Sequence, residues 1–310
     1  MAVEASTTIS GLNSAWPLGT DIKAEGDNHL RLIKSVLKGA FDDSGTSLKT
    51  TLPLSTGSIA QCGQIYGLVL SNNASDAVNS IDVAPGSAAS DDAIPWMINL
   101  TGVMTKKTNA AWAAGGGNGG FLDSGSMPAN SQAHCYLIGK STDLTAADIA
   151  FSASLTPTLP TGWDRKRRIM TVLRDPTQIR PFRQLGNRVL LNPPVNVRGG
   201  TAAVTDVLVT VSGPQGIRHR PILHSSLIVN ASSNASNVIA DGDVTTTAPF
   251  NSFQLVAAGT GGTASDATII DHVYTNTSSQ IRLSTLISSG TINGNNLNSV
   301  GWWDDRGIYG

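Results

Sequence analysis

Apolar residues between Leu30 and Phe41 recur with helical spacing. Leu30, Ile33, Leu37 and Ala40 lie three, four and three apart, which places them on one face of a helix expected over about residues 27–41. Asp27 or Asn28 can cap its start. Glu25 and Asp27 suit the positive end of the helix dipole, and Lys34 and Lys38 the negative end. A helix of three or four turns is marginal in water by itself. Its stripe must therefore pack on something: identical helices of other copies, another protein, or its own domain. Just upstream, Trp16-Pro17-Leu18-Gly19 reads as a turn with an aromatic anchor.

After Phe41 the pattern changes. Asp42-Asp43-Ser44-Gly45 breaks the helix, and short apolar runs follow, separated by Gly, Asn, Ser and Asp. Residues 65–70, 96–100, 135–138, 204–211, 223–229, 253–257 and 281–287 are such runs. Val207-Leu208-Val209-Thr210-Val211 alternates with period two, as a half-buried strand does. Ser71-Asn72-Asn73, Ser212-Gly213-Pro214 and Asn293-Gly294-Asn295-Asn296 read as turns. The expected fold is mainly β, a short N-terminal helix followed by β-sandwich or jelly-roll-like domains. Five glycines within residues 110–120 mark a seam. They divide the chain into an N-terminal segment (1–45), an intermediate β-rich region (46–120) and a C-terminal sandwich-like domain (121–310). No repeat of 20–50 residues is visible.

Composition sharpens this picture. Only 14% of the 310 residues are charged, against about 25% in an ordinary soluble domain. Faces so poor in charge suit burial by neighbouring copies. The net charge of -1 argues against nucleic-acid binding, which rests on many phosphate-neutralising Lys and Arg. Cys62 and Cys135 form neither a disulfide framework nor a CxxC metal site, and are read as two buried thiols. Residues 1–11 lack the features of a signal peptide, so synthesis in the cytoplasm is expected. No apolar run approaches the roughly 18 residues that would span a bilayer, so no membrane insertion is expected.

The chain lacks the usual signatures of catalysis. Gly115, Gly117 and Gly120 match GxGxxG formally, but the residues before them are alanine-rich rather than strand-like in pattern and no helix is expected to follow. HExxH and GxSxG are absent, and the spacing of His219 and His224 suits shared metal ligation on neither a strand nor a helix. Glutamate occurs only at Glu4 and Glu25. Asp304 and Asp305 would point to opposite faces of a strand, which disfavours a paired acid–base role. The reading is therefore no enzyme, with no catalytic, cofactor or metal residues. Two surface features stand out. Arg165-Lys166-Arg167-Arg168 fits an anionic partner or a charged edge strand blunted against aggregation. Trp302-Trp303 fits one ring in a core and one outward, either at an interface or as a sugar platform. Arg165, Lys166, Arg167, Trp302 and Trp303 form the candidate surface-recognition set. The five Asn-x-Ser/Thr matches, at Asn73, Asn99, Asn230, Asn234 and Asn276, are read as turn chemistry.

Trp16-Pro17-Leu18-Gly19-Thr20-Asp21, continued by Glu25-Gly26-Asp27-Asn28-His29-Leu30-Arg31-Leu32-Ile33-Lys34, closely resembles an N-terminal motif of phage and prophage tail-fibre proteins. Phe151-Ser152, Pro157-Thr158-Leu159-Pro160-Thr161-Gly162-Trp163 and Lys166-Arg167-Arg168-Ile169 resemble a recurring segment of their β-domains. Gly301-Trp302 through Arg306-Gly307 fits the same group. The middle segment departs from the pattern at Asp164 and Met170, so no host-binding residue is carried over. The resemblance implies a virion tail protein, a homotrimer whose N-terminus holds tail or baseplate proteins and whose β-domain contacts a host surface glycan or protein. It places attachment and oligomerisation at Trp16, Pro17, Gly19, Asp21, Gly26, His29, Leu30, Ile33 and Leu37. A structural tail connector and a host-glycan depolymerase are the alternatives.

Overall fold

The computed structural model describes residues 23–40, 63–123, 125–245, 252–258 and 264–306. Trp16, Pro17, Gly19, Asp21 and Cys62, and the side chains of Glu25, Lys38 and Ala40, lie outside the described residues. The chain divides into two units. One comprises Met1–Gln61 with Ile94–Met97, the other Cys62–Ala93 with Ile98–Gly310.

In the first unit, α1 (Lys23–Ala40) starts about four residues earlier than its spacing predicts. Asp27 therefore lies inside the helix rather than capping it. It pairs with Arg31 one turn on at 2.8 Å, an exposed contact of the kind that adds a few tenths of a kcal/mol (roughly 0.3–0.5). The helix buries His29 and Val36. At about 100° per residue, that line is rotated roughly 100° from the midpoint of Leu30 and Leu37. The expected apolar stripe is left open, with Leu30, Ile33 and Leu37 exposed by 60%, 39% and 43%. Gly26 has open space where a Cβ would stand.

The second unit is built of strands, as expected. A three-stranded sheet runs β1 (Ile65–Gly67), β4 (Gly86–Ala89), β5 (Met97–Leu100). A seven-stranded sheet runs β10 (Arg165–Arg174), β8 (Ser131–Gly139), β9 (Ala147–Ser152), β7 (Gly119–Phe121), β6 (Met104–Ala111), β3 (Ser80–Val83), β2 (Leu70–Asn72). Its pairings are antiparallel except those of β7, which runs parallel to both neighbours.

The boundary expected at residue 120 falls inside this sheet. The glycine run is a turn between β6 and β7, not a linker. Gly115 and Gly117 take left-handed φ values of 90° and 78°, which a glycine adopts without strain. At Gly119 a Cβ would stand 2.0 Å from the Ala111 carbonyl oxygen. Gly119→Ala is therefore expected to force the β6–β7 backbones apart and cost about 2 kcal/mol, read as a lower urea midpoint. A buried ion pair pins the same turn. Lys106 Nζ lies 2.9 Å from Asp148, donates to the Ala113 carbonyl at 2.6 Å and sits over the Trp112 ring. Asp148 also accepts the Gly115 amide at 2.7 Å.

The C-terminal part stacks two sheets. The first runs β11 (Phe182–Leu185), β12 (Arg188–Arg198), β19 (Ile292–Trp303), β14 (Arg220–Val229), β17 (Ala264–Ile270). The second runs β13 (Val207–Thr210), β18 (Gln280–Ser289), β15 (Asn234–Ala240), β16 (Ser252–Ala258). Leu223, Ile270 and Leu297 of the first share a core with Val209, Ile239, Ile281 and Leu283 of the second. The ladder between β12 and β19 breaks between Leu190 and Val195, where Pro193 and Pro194 have no N–H to offer.

Asn293-Gly294-Asn295-Asn296, expected as a turn, is interior to β19. Its polar residues are used within the sandwich. Buried Asn295 accepts from Asn237 of β15 at 2.9 Å and donates to Thr285 of β18 at 2.8 Å. Thr285 in turn donates to Asn237 at 2.8 Å, closing a ring of hydrogen bonds across the two sheets. The Asn-x-Ser/Thr matches divide similarly. Asn73 and Asn276 fold back on the amides of Ser75 and Ser278 as Asx turns, whereas Asn99 and Asn234 lie in strands.

Candidate functional site

Asp304, Asp305 and Arg306 meet the basic cluster of β10. Strand β10 is the edge of its sheet, as one reading of that cluster anticipates. Its arginines are not simply solvated, however. Arg167 and Arg168 are both buried, beside a register shift between Arg168 and Met170. Arg168 grips Asp304 from two nitrogens, at 2.8 and 3.2 Å, and also contacts Asp305. Asp304 further accepts the Thr171 and Arg306 amides at 3.2 and 2.8 Å. Arg306 donates to the carbonyls of Ile169, Gly67 and Leu68, and Arg167 donates to the Arg306 carbonyl while pairing with Asp91. Trp302 is buried in the large core shared with Ile169 and Met170.

This arrangement answers the question about the two aspartates. They do not diverge; they converge on one guanidinium. Burial opposes the charged form of Asp304, but the Arg168 guanidinium beside it wins and holds its carboxyl below the usual carboxylate range. A carboxylate so held is a fixed negative charge and a poor proton donor. Its chemistry is anchoring.

On the solvent side of this centre lies an open pocket of about 580 Å³. Asn187, Arg218, Arg220, Tyr274, Thr277, Trp303 and Asp305 line it. Trp303 is set by three adjacent strands. Arg188 of β12 and Arg220 of β14 are both its direct cross-strand partners, and their guanidinium carbons lie 5.9 and 5.0 Å from its ring centre. The indole thus holds two arginines in place. Arg218 stands over the half-exposed Tyr274 ring at 5.7 Å and pairs with Asp243 at 2.8 Å. A second cavity of about 360 Å³, lined by Asp91, Tyr136, Lys166 and Arg168, shares Ile217 and Asp305 with the first.

The five candidate recognition residues therefore separate. Trp303 lines the larger pocket and Lys166 the smaller. Arg165 pairs with Asp92 at 3.2 Å, Arg167 is locked against Asp91 and the Arg306 carbonyl, and Trp302 is core. The alternation expected for the tryptophan pair holds, but Trp303 has arginines over its ring in place of an open platform. Sequence reasoning missed Arg188, Arg220 and Tyr274. They lie 115, 83 and 29 positions before Trp303, and only strand pairing or folding brings them to it. Cys135 is a buried free thiol, as expected.

No family model matches the chain, and no similar curated protein or solved structure was found.

Proposed function

We propose that the chain is a tail-fibre-type protein of a phage virion, held to the tail through its N-terminal segment and presenting its β-rich part to the host surface. The observation that carries this reading is the open stripe of α1. Leu30 and Ile33 lie within the motif that resembles tail-fibre N-termini and Leu37 just beyond it, and all three remain exposed while the same helix buries His29 and Val36. Exposed apolar side chains in a row on a helix are a surface for association, with copies of this chain or with a tail protein. The pocket beside Trp303 favours a receptor-contacting fibre over a connector, because it gathers exposed aromatic and cationic groups at one place.

The test joins sedimentation with imaging. The wild-type chain is expected to sediment as a trimer. The triple variant Leu30→Asp/Ile33→Asp/Leu37→Asp is expected to sediment as a monomer with unchanged β-sheet circular dichroism. An unaltered oligomer in the variant removes the stripe from the assembly. A particle map in which residues 1–41 point away from the tail sinks the attachment reading.

A further inference from the structure

We propose that the pocket bounded by Arg220, Trp303, Tyr274 and Asn187 binds an acidic saccharide, with Arg220 holding the sugar's carboxylate. The argument starts from charge. Arg218 is matched by Asp243, and Asp304 and Asp305 are engaged by Arg168. Among the described residues, no carboxylate pairs with Arg220. Its guanidinium is held instead against the Trp303 ring, with Arg188 on the strand at the other side of Trp303. An aromatic ring fixes the plane of a guanidinium but leaves its N–H edge to find an anion. Two arginines flanking one indole add to a positive field at the pocket.

Shape and lining favour a sugar over a bare anion. The cavity, about 580 Å³, falls in the size range that holds small organic ligands. Tyr274 offers a half-exposed ring that it shares with Arg218, and Asn187 and Thr277 supply an amide and a hydroxyl to pair with sugar hydroxyls. Strands β12, β14 and β19 carry the arginine–tryptophan row, so the cationic part of the site is built on a sheet and not on a mobile loop. A single weak site of this kind, repeated over the copies in a fibre and the fibres on a particle, becomes firm through avidity. The ligand chemistry follows from the pocket alone. Its placement on a host cell rests on the attachment reading above.

The probe is an array of bacterial surface oligosaccharides printed in matched carboxylated and neutral forms, with inorganic phosphate as competitor. The full chain is expected to bind carboxylated members at least tenfold better than their neutral counterparts. Arg220→Gln is expected to remove that binding, Arg220→Lys to retain it weakly, and Tyr274→Ala to weaken it tenfold or more, with circular dichroism unchanged in all three. Equal binding to neutral members, full competition by millimolar phosphate, no binding at all, or an undiminished signal from a folded Arg220→Gln chain would each overturn the assignment. The two readings fail separately. An inert pocket on a chain docked to the tail through residues 1–41 sinks only the site. Acidic-sugar binding by a chain that never joins a particle sinks only the tail reading.

Discussion

Asp304→Ala should unfold the chain at markedly lower urea, with a loss of about 3–5 kcal/mol. The loss comes from what is left behind. Arg168 stays buried with its charge, and Asp305, a quarter exposed, cannot replace a carboxylate that meets two of its nitrogens. The amides of Thr171 and Arg306 lose their acceptor as well. Each buried donor so orphaned costs about 1–3 kcal/mol. Two further variants separate this from simple loss of packing. Asp305→Ala removes a partly exposed partner and should cost about 1 kcal/mol or less. The double change Asp304→Leu/Arg168→Met removes both charges and should recover much of the loss, because an apolar pair of similar size avoids the desolvation penalty. Equilibrium unfolding followed by tryptophan fluorescence reads all three. A loss under about 1 kcal/mol for Asp304→Ala would mean that the centre is hydrated and not a structural anchor.

That anchor also marks where the sequence stops being informative. Local periodicity carries the parts that depend on neighbours. The 3-4-3 spacing places α1, and alternation separates buried Trp302 from pocket-lining Trp303. Apolar runs locate much of β8, β13, β14 and β18. Other elements carry no apolar signature. Strand β4 is Gly-Ser-Ala-Ala and β7 is Gly-Gly-Phe, so their small residues look like linker although several are buried. In β19, Asn293-Gly294-Asn295-Asn296 has turn chemistry, but Asn295 finds acceptors and donors across the sandwich that no local pattern announces. The candidate site shows the same divide. Arg168 meets Asp304 across 136 positions, and the basic cluster alone gives no sign that two of its arginines are buried and matched. Arg220 acquires its place only because β14 and β12 both pair with β19.

Acid should destabilise the protein from about pH 6.5 downward. His134 and His219 are both buried. Burial is the main cause that lowers each from the ordinary 6.5 to about 4; nearby Arg168 lowers both further, and Asp304 opposes. Each ring has a hydroxyl partner at Nδ1. His134 Nδ1 lies 2.9 Å from the Thr171 hydroxyl, and His219 Nδ1 lies 3.0 Å from that of Thr275. The sign follows directly. Between pH 6.5 and about 4 the unfolded chain takes up protons on these rings that the folded chain refuses. Stability is therefore full above 6.5 and falls as the pH drops through that window. Each histidine contributes at most about 1.4 kcal/mol per pH unit, or about 3 kcal/mol over the whole interval. Asp304 acts in the same direction but later, because its carboxyl is held below the ordinary range and gives up its charge only below that range. Urea midpoints taken from pH 7.0 to 4.5 should thus decline steadily. In His219→Gln, which cannot charge at that position, the decline should be about half as steep even if the starting midpoint is lower. A flat profile in the wild-type chain, or an unchanged slope in the variant, would show that these two rings are protonated in the folded protein and that the region around Asp304 admits water.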